Sequence, residues 1–332
     1  QYLTGDAAGK AALKTIGGLS PQTAGVILRE LVAFEAQGAD VFFGEPTKKL
    51  ELAGVTGTSG KTTTAFLLRG MLEAAGHRPG LVGTIEWRVG GEARAAPFTT
   101  PEAIDLQRTF ARMLEAGDRA SAMEVSSHAL HQHRADSIHF DVKVFTNLTQ
   151  DHLDFHDDME DYFAAKRLLF SAEGGSPMLE IEGGISVVNV DDDYGRRLAE
   201  ELVEERSDEA LVTFSASGAD ADLSAREVSF DASGASFVAA TPAGELAVRT
   251  PLPGHFNVEN ALAALGAVHA LGMDLPAAAE ALASAERVPG RFEPIDEGQP
   301  FTVLVDYAHT PDSMENVLRA ARRLTEGRLI SV

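Results

Sequence analysis

The chain predicts an α/β fold: a central phosphate-loop unit with a mostly parallel sheet flanked by helices, and partial segments on either side. Three observations carry that expectation. An apolar strand runs into a glycine-rich turn and a helix over residues 50–75. Short apolar runs then alternate with helical ones as far as residue 190, the pattern of a parallel sheet sandwiched by helices. Polar and acidic residues collect where the apolar runs stop, the end at which open α/β sheets bind ligands.

Residues 1–49 contain much Gly and Ala, a helical piece over 21–37 and a turn at Gly44-Glu45-Pro46. Gly5-Asp6-Ala7-Ala8-Gly9-Lys10 has some of the letters of a phosphate loop, but no apolar strand precedes it, so it reads as a plain loop. Strands are predicted at 50–55, 80–85, 120–125, 142–147 and 185–190, and helices at 63–75 and 103–116. Residues 227–250 alternate apolar and polar around Ser233-Gly234 and Pro242-Ala243-Gly244, as β-hairpins do. An Ala-rich helix opens near Asn257 and Asn260, a hinge falls at Val288-Pro289-Gly290-Arg291-Phe292-Glu293, and a strand at 301–305 leads to a helix at 313–324 and a further strand at 329–332.

The turn Gly57-Thr58-Ser59-Gly60-Lys61-Thr62-Thr63 carries the clearest chemistry. Gly57 and Gly60 permit backbone angles that let successive N–H groups converge on an anion at the positive end of a helix. Lys61 adds a mobile cation, and Thr62 or Thr63 offers a hydroxyl to the magnesium that accompanies nucleoside triphosphates. The common motif G-x-x-x-x-G-K-[ST] would place glycine where Val55 stands. An ordinary glycine-rich turn is the plainer alternative.

Downstream strand ends supply the rest. Glu124 interrupts an apolar run and is a reasonable ligand for Mg²⁺, which prefers hard oxygens, though a solvent-facing glutamate would look the same. Asn147-Leu148-Thr149-Gln150-Asp151-His152-Leu153-Asp154-Phe155-His156 is dense in potential ligands, and equally could be a polar turn. Lys166, within an amphipathic helix, reads on its own as a solvated charge. Asp191, Asp192 and Asp193 read as helix capping; Asn257 and Asn260, three apart, suit either capping or an adenine contact.

Composition narrows the classes. The chain of 332 residues, 44% hydrophobic, can bury a sizeable core. Its 28 Lys+Arg against 50 Asp+Glu, net −22, would repel a phosphodiester backbone, so nucleic acid is not an expected partner. Cysteine is absent, which excludes thiolate metal sites and disulfides and suits a reducing compartment. No apolar run approaches the ~20 residues of a membrane span and no signal-peptide pattern opens the chain, so a cytoplasmic location without membrane association is expected.

Taken together, the phosphate loop, Thr99-Thr100-Pro101-Glu102, Glu124-Val125-Ser126-Ser127-His128, the 147–156 stretch, Ala165-Lys166, His255-Phe256-Asn257-Val258-Glu259-Asn260, Gly290-Arg291-Phe292-Glu293 and Asp306-Tyr307-Ala308-His309-Thr310-Pro311-Asp312 resemble the Mur ligases, ATP-dependent amide-forming enzymes of cell-wall synthesis, and among them the MurE type. The resemblance implies that ATP phosphorylates the γ-carboxylate of UDP-N-acetylmuramoyl-L-alanyl-D-glutamate and that an amino acid then displaces the phosphate. It implies Lys61 on the β- and γ-phosphates, Glu124 and His152 with Thr62 on magnesium, and a carbamylated Lys166 helping to position a second ion. Thr99, Thr100, Ser126, Gln132 and Arg134 match positions for the muramoyl substrate. Arg291 and Asp306 match positions that meet ATP, with Asn257 and Asn260 near the adenine. Three units follow: a short segment over 1–49 unlike the family's UDP-binding domain, a central ATPase over 50–290, and the opening of the C-terminal ligase domain over 291–332. A monomer is expected. Folylpolyglutamate synthase, a ligase of the same superfamily, and a nucleotide-binding fragment without turnover are the rival readings.

Overall fold

Strand β1 (Glu51–Thr56) is apolar on both faces and buried from Leu52 onward, as a central parallel strand must be. In this computed structural model, which describes residues 35, 36, 38–170, 184–205 and 211–332, β1 is the seventh of eleven strands. The expected loop at Gly5 to Lys10 and all but two residues of the helical piece at 21–37 lie outside the described residues.

The other parallel strands are β2 (Pro79–Val82), β5 (Ala120–Glu124), β6 (Val142–Phe145), β7 (Ile185–Asn189) and β8 (Leu211–Ser215), each close to its predicted span where one was given. Two edges complete the sheet. A hairpin of β3 (Glu86–Val89) and β4 (Glu92–Ala95) turns at Gly90-Gly91 beside β2. The meander β9 (Leu223–Asp231), β10 (Gly234–Thr241) and β11 (Gly244–Thr250) extends it from β8, and its last two turns fall at the predicted positions.

The order β11-β10-β9-β8-β7-β6-β1-β5-β2-β3-β4 puts β5 on one side of β1 and β6 on the other. The chain thus reverses its direction of travel at β1, and the crevice at the carboxyl ends of β1, β5 and β6 is the topological switch point where such sheets bind ligands.

Alternation along the strands divides the core into two layers. Ala53 and Val55 of β1, Val144 of β6 and Val187 of β7 face one layer with Phe66, Leu68 and Leu72 of helix α1 (Lys61–Ala74). Leu52, Phe145 and Val188 face the other, with Phe110 and Met113 of α2 (Ala103–Ala116) and Tyr162 and Phe163 of α4 (Met159–Arg167). Each such large apolar side chain contributes roughly 1.5–3 kcal/mol on burial. Three further helices cover the described sheet: the short α3 (Ser127–His131), α5 (Asp193–Glu205) and α6 (His255–Ala270), the last almost wholly buried. Next to α6, α7 (Leu275–Ala283) begins with Asp274 accepting from Ala277 N at 3.2 Å.

After the turn at 288–292 come β12 (Glu293–Ile295), β13 (Val303–Val305) and α8 (Pro311–Arg323), opened by a Thr310–Ser313 capping box. β12 and β13 pair only with each other. The strand expected at 329–332 does not form: no strand lies beside it among the described residues, and Leu329, Ile330 and Val332 are exposed. Apolar character without a hydrogen-bonding neighbour does not make a strand. No helix among the described residues is long and apolar enough to cross a membrane.

Candidate active site

The loop after β1 is built around its glycines. Gly57 (φ 144°) and Gly60 (φ 89°) both adopt angles that side-chain-bearing residues avoid. A Cβ at Gly57 would stand 1.9 Å from Thr146 Oγ1, and one at Gly60 2.3 Å from Asn260 Oδ1. The close approach has a purpose. Thr146 Oγ1 donates to Ser59 O at 2.6 Å, while Asn147 accepts from Ser59 N at 2.9 Å and donates to Ser59 O at 3.2 Å, so the end of β6 clasps the loop.

Every predicted site residue except Gly57 lines one cavity of about 580 Å³ at the switch point. Gly57 contributes from behind: its carbonyl accepts both Lys61 Nζ and Lys166 Nζ at 2.8 Å. Lys61 also donates to Thr58 O at 2.9 Å. Burial holds the Lys61 ammonium below the ordinary lysine range, an effect opposed by Glu124 and reinforced by Arg291. Lys166, 1% exposed, is pushed well below that range by burial and then by the charge of Lys61. It also sits 4.5 Å from the Tyr162 ring centre. The solvated-charge alternative for Lys166 is therefore wrong: its helix packs that face inward, onto the loop.

Glu124, also 1% exposed, is not a solvent-facing glutamate either. Its Oε2 accepts Thr62 Oγ1 at 2.9 Å and Thr84 Oγ1 at 3.0 Å, and its Oε1 accepts Thr84 N at 2.7 Å. Of the two threonines after Lys61, Thr62 is thus the one that meets the carboxylate. Thr100 Oγ1 donates to the Glu124 carbonyl at 2.9 Å and accepts from Ser126 N at 3.1 Å. Ser126 Oγ caps α3 by accepting from Ala129 N, and Arg134 spans Thr100 O at 3.2 Å and Glu102 at 2.9 Å. Thr99 and Gln132 complete this side of the cavity.

His152 takes a left-handed backbone (φ 54°) and packs edge-on against His128, ring centres 4.8 Å apart. Burial lowers its pKa first, with Asp151 opposing and Lys61 and Lys166 adding to the shift; His128 is pushed down to about 4 by burial and then by His152. Both rings are therefore neutral at neutral pH, the state in which imidazole coordinates metals. His156, the other histidine of the stretch, lies outside the cavity lining, bonded to Ser127 Oγ and Asp161 Oδ2 at 3.0 Å each.

Asn257 donates to Pro253 O at 2.8 Å and Asn260 donates to Asn257 Oδ1 at 3.1 Å, so the pair shares one helix face as its spacing predicts. Neither caps α6, whose N-cap is Gly254. Asp191, read from the sequence as a cap, instead binds the turn after β8, accepting from Ser215 Oγ at 2.6 Å and Ala216 N at 2.7 Å; Asp192 does cap, accepting from Gly195 N at 2.9 Å. From beyond the turn, Arg291 Nη2 donates to Thr62 Oγ1 at 3.2 Å and its guanidinium lies 5.1 Å from the Tyr307 ring centre. Asp306 accepts from Phe292 N at 2.6 Å and Ala308 N at 2.7 Å, which fixes the turn that presents Arg291.

Thr84, His128 and Glu259 are among the lining residues that the sequence did not single out. Burial, then Asp191, Asp192 and Asp312, raise the Glu259 carboxyl to about 7. Thr84 had one signal, a polar residue following a glycine at the end of an apolar strand.

Comparison with known proteins agrees with this geometry. The pattern described as Mur ligase middle domain matches residues 55–268, and that of the Mur ligase, glutamate ligase domain matches 290–332. A helicase HerA-like C-terminal pattern matches residues 1–82, a stretch that includes the phosphate loop but not Glu124, Asn147, His152 or Lys166. A UDP-N-acetylmuramoyl-L-alanyl-D-glutamate–2,6-diaminopimelate ligase of Streptomyces coelicolor is 49% identical over 89% of this chain and 56% of its own length. One of the same name from Geobacillus kaustophilus is 47% identical over 87% and 58%. The chain thus spans little more than half the length of these curated relatives. A solved ligase of that name superposes with TM-score 0.75 at 29% identity, covering 90% of this chain and 58% of that one. Mycobacterium tuberculosis folylpolyglutamate synthase complexed with ADP superposes with TM-score 0.70 at 18% identity over 87% and 69%, a likeness of fold alone. With one family pattern covering most of its length, a second following it, and a phosphate loop, buried carboxylate and buried lysine gathered at one switch point, the chain belongs to the Mur ligase family.

Proposed function

We propose that the chain carries the ATP-handling part of a ligase that adds the third amino acid to UDP-N-acetylmuramoyl-L-alanyl-D-glutamate in peptidoglycan biosynthesis. The names of its relatives make 2,6-diaminopimelate the first amine to test. The observation that carries the reading is the convergence of Lys61, Thr62, Glu124, His152 and Lys166 on one cavity with Thr99, Thr100, Ser126, Gln132 and Arg134.

The donor set fits a magnesium nucleotide. Thr62 Oγ1 and Glu124 Oε2, 2.9 Å apart at the start of α1, are hard oxygens of the kind Mg²⁺ selects. Bound Mg²⁺·ATP supplies the phosphoryl group that turns the glutamyl γ-carboxylate into an acyl phosphate, from which the incoming amine displaces phosphate to leave an amide. The chain's own part is positioning and charge. The loop N–H groups and Lys61 would hold phosphate oxygens, and Arg291 would add a cation from the facing wall. Burial pushes Lys166 towards the neutral amine, the form that adds carbon dioxide, which supports its carbamylation; a carbon-dioxide-sized adduct in mass spectrometry of gently handled protein tests that. Asn257 and Asn260 would meet the adenine, and Asp306 would hold the nucleotide-facing turn. ATP as substrate supports a cytoplasmic enzyme, and the two family patterns over 55–268 and 290–332 support a division near residue 290 into central and C-terminal units; the proposed enzyme is a monomer.

A second reading is nucleotide binding without turnover. Incubation with ATP, Mg²⁺, the UDP-muramoyl dipeptide and diaminopimelate, with phosphate and tripeptide assayed, is the deciding experiment. Tripeptide establishes the ligase; ADP binding by calorimetry with neither product selects the second reading. Displacement of the muramoyl peptide by a folate would point instead to folylpolyglutamate synthesis.

A further inference from the structure

Thr84 belongs to none of the motifs that carry the family likeness, yet it touches both halves of the site. It follows β2 through Gly83, where a Cβ would stand 2.5 Å from Glu124 Oε1, so the turn can wrap the carboxylate only because residue 83 has no side chain. Its N–H donates to Oε1 at 2.7 Å, its hydroxyl donates to Oε2 at 3.0 Å, and the same hydroxyl lies 3.1 Å from Thr99 Oγ1.

A hydroxyl has one proton, and a carboxylate can only accept. The Thr84 proton goes to Glu124, so in the contact with Thr99 the Thr84 oxygen accepts and Thr99 donates. The nucleotide side obeys the same rule: Thr62 donates to Oε2 at 2.9 Å and accepts from Arg291 at 3.2 Å. Two polarised arms therefore converge on one carboxylate, Arg291 to Thr62 to Glu124 and Thr99 to Thr84 to Glu124.

We propose that Thr84 is a positioning residue that fixes the Glu124 carboxylate for a divalent cation and, through Thr99, couples cation binding to recognition of the acceptor substrate. The inference rests on the nucleotide reading above. With its proton committed to Thr84, Thr99 presents only lone pairs to the cavity. It thus selects an N–H or O–H donor of the acceptor, a peptide amide or a sugar hydroxyl, over a phosphate oxygen.

Mn²⁺ is the probe. Its affinity in the presence of ADP is read by electron paramagnetic resonance, and the affinity for UDP-N-acetylmuramoyl-L-alanyl-D-glutamate by calorimetry with and without the cation. Thr84→Val keeps the shape and the backbone N–H but loses the hydroxyl. It is expected to weaken Mn²⁺ by about 10-fold or more, as loss of an outer-shell partner does, and to abolish the effect of the cation on substrate affinity. Thr84→Ser restores both to within about 3-fold, on the same scale of outer-shell effects. A Thr84→Val protein with wild-type Mn²⁺ affinity overturns the proposal, as does a serine variant that behaves like the valine one, or a wild type in which the two affinities are independent. A wild type that binds no Mn²⁺·ADP sinks the nucleotide reading together with the proposal; normal wild-type binding beside an unaffected valine variant sinks only the role of Thr84.

Discussion

The loop wall of the cavity, residues 57–63 with the ends of β5 and β6, and the facing wall, residues 290–310, hold their side chains by different means. The loop wall grows out of the middle of an eleven-stranded sheet, with core on both faces and its Ser59 backbone clasped by Thr146 and Asn147. The facing wall rests on a two-stranded sheet and a small cluster in which only Phe292, Ala320 and Ala321 are buried apolar residues. Arg291–Thr62 and the perpendicular Phe256–Phe292 rings, centres 5.4 Å apart, tie it across. Preorganisation therefore belongs to the loop wall, whereas the facing wall can open without disturbing the sheet, since segments with few buried contacts open at the lowest free energy.

The largest effect should come from attacking the loop wall directly. Gly57→Ala forces a Cβ to within 1.9 Å of Thr146 Oγ1 at a positive φ. Strain and overpacking together should cost about 2–4 kcal/mol in denaturant unfolding and abolish ADP binding by calorimetry. An alanine variant as stable as wild type would show that the loop is less constrained than its neighbours imply.

Arg291→Ala tests the other wall. Losing one charged donor should weaken ADP about 10-fold, equal to ~1.4 kcal/mol, while thermal unfolding moves by no more than about 2 °C. A drop in melting temperature comparable to that of the glycine variant would erase the contrast between the walls.

The smallest effect is a pH dependence carried beside the loop wall by His128. His128 titrates at about 4 when folded against 6.5 when unfolded, so the folded state binds fewer protons between these values. Its contribution is present above pH 6.5 and is lost as the pH falls towards 4, moderated by the solvent exposure of the ring. Urea midpoints between about pH 7 and 4.5 should therefore fall less steeply in His128→Asn than in wild type. Glu259, raised from 4.5 to about 7, works in the opposite sense: its contribution is present below pH 4.5 and lost as the pH rises through 7. Parallel slopes in variant and wild type would remove His128 from the account.

Much of this contrast was legible in the sequence. Strand and helix alternation located β1, α2 and β5–β7 because buried parallel strands need continuous apolar runs, and the phosphate loop announced itself through Gly57, Gly60 and Lys61. The burial of Glu124 and Lys166 was not legible from local pattern. Each is one polar residue whose surroundings are set by elements far along the chain; Glu124 already read as a Mg²⁺ ligand from its place at a strand end, whereas only the family likeness raised Lys166 above a surface charge. Thr84 and Glu259 have no periodicity to reveal them. The misread strand at 329–332 failed because a ladder depends on a neighbour that apolar composition does not specify.

The position of β1 also has a consequence for how the protein is made. Its register partners on the two sides begin at Ala120 and Val142, so an emerging chain carries the apolar Leu52 to Val55 segment unpaired until both later strands have left the ribosome. Sheets closed by such distant partners assemble slowly and leave aggregation-prone edges in the interim. The edges of β1 are therefore the ones open to misassociation during synthesis, until β6 arrives.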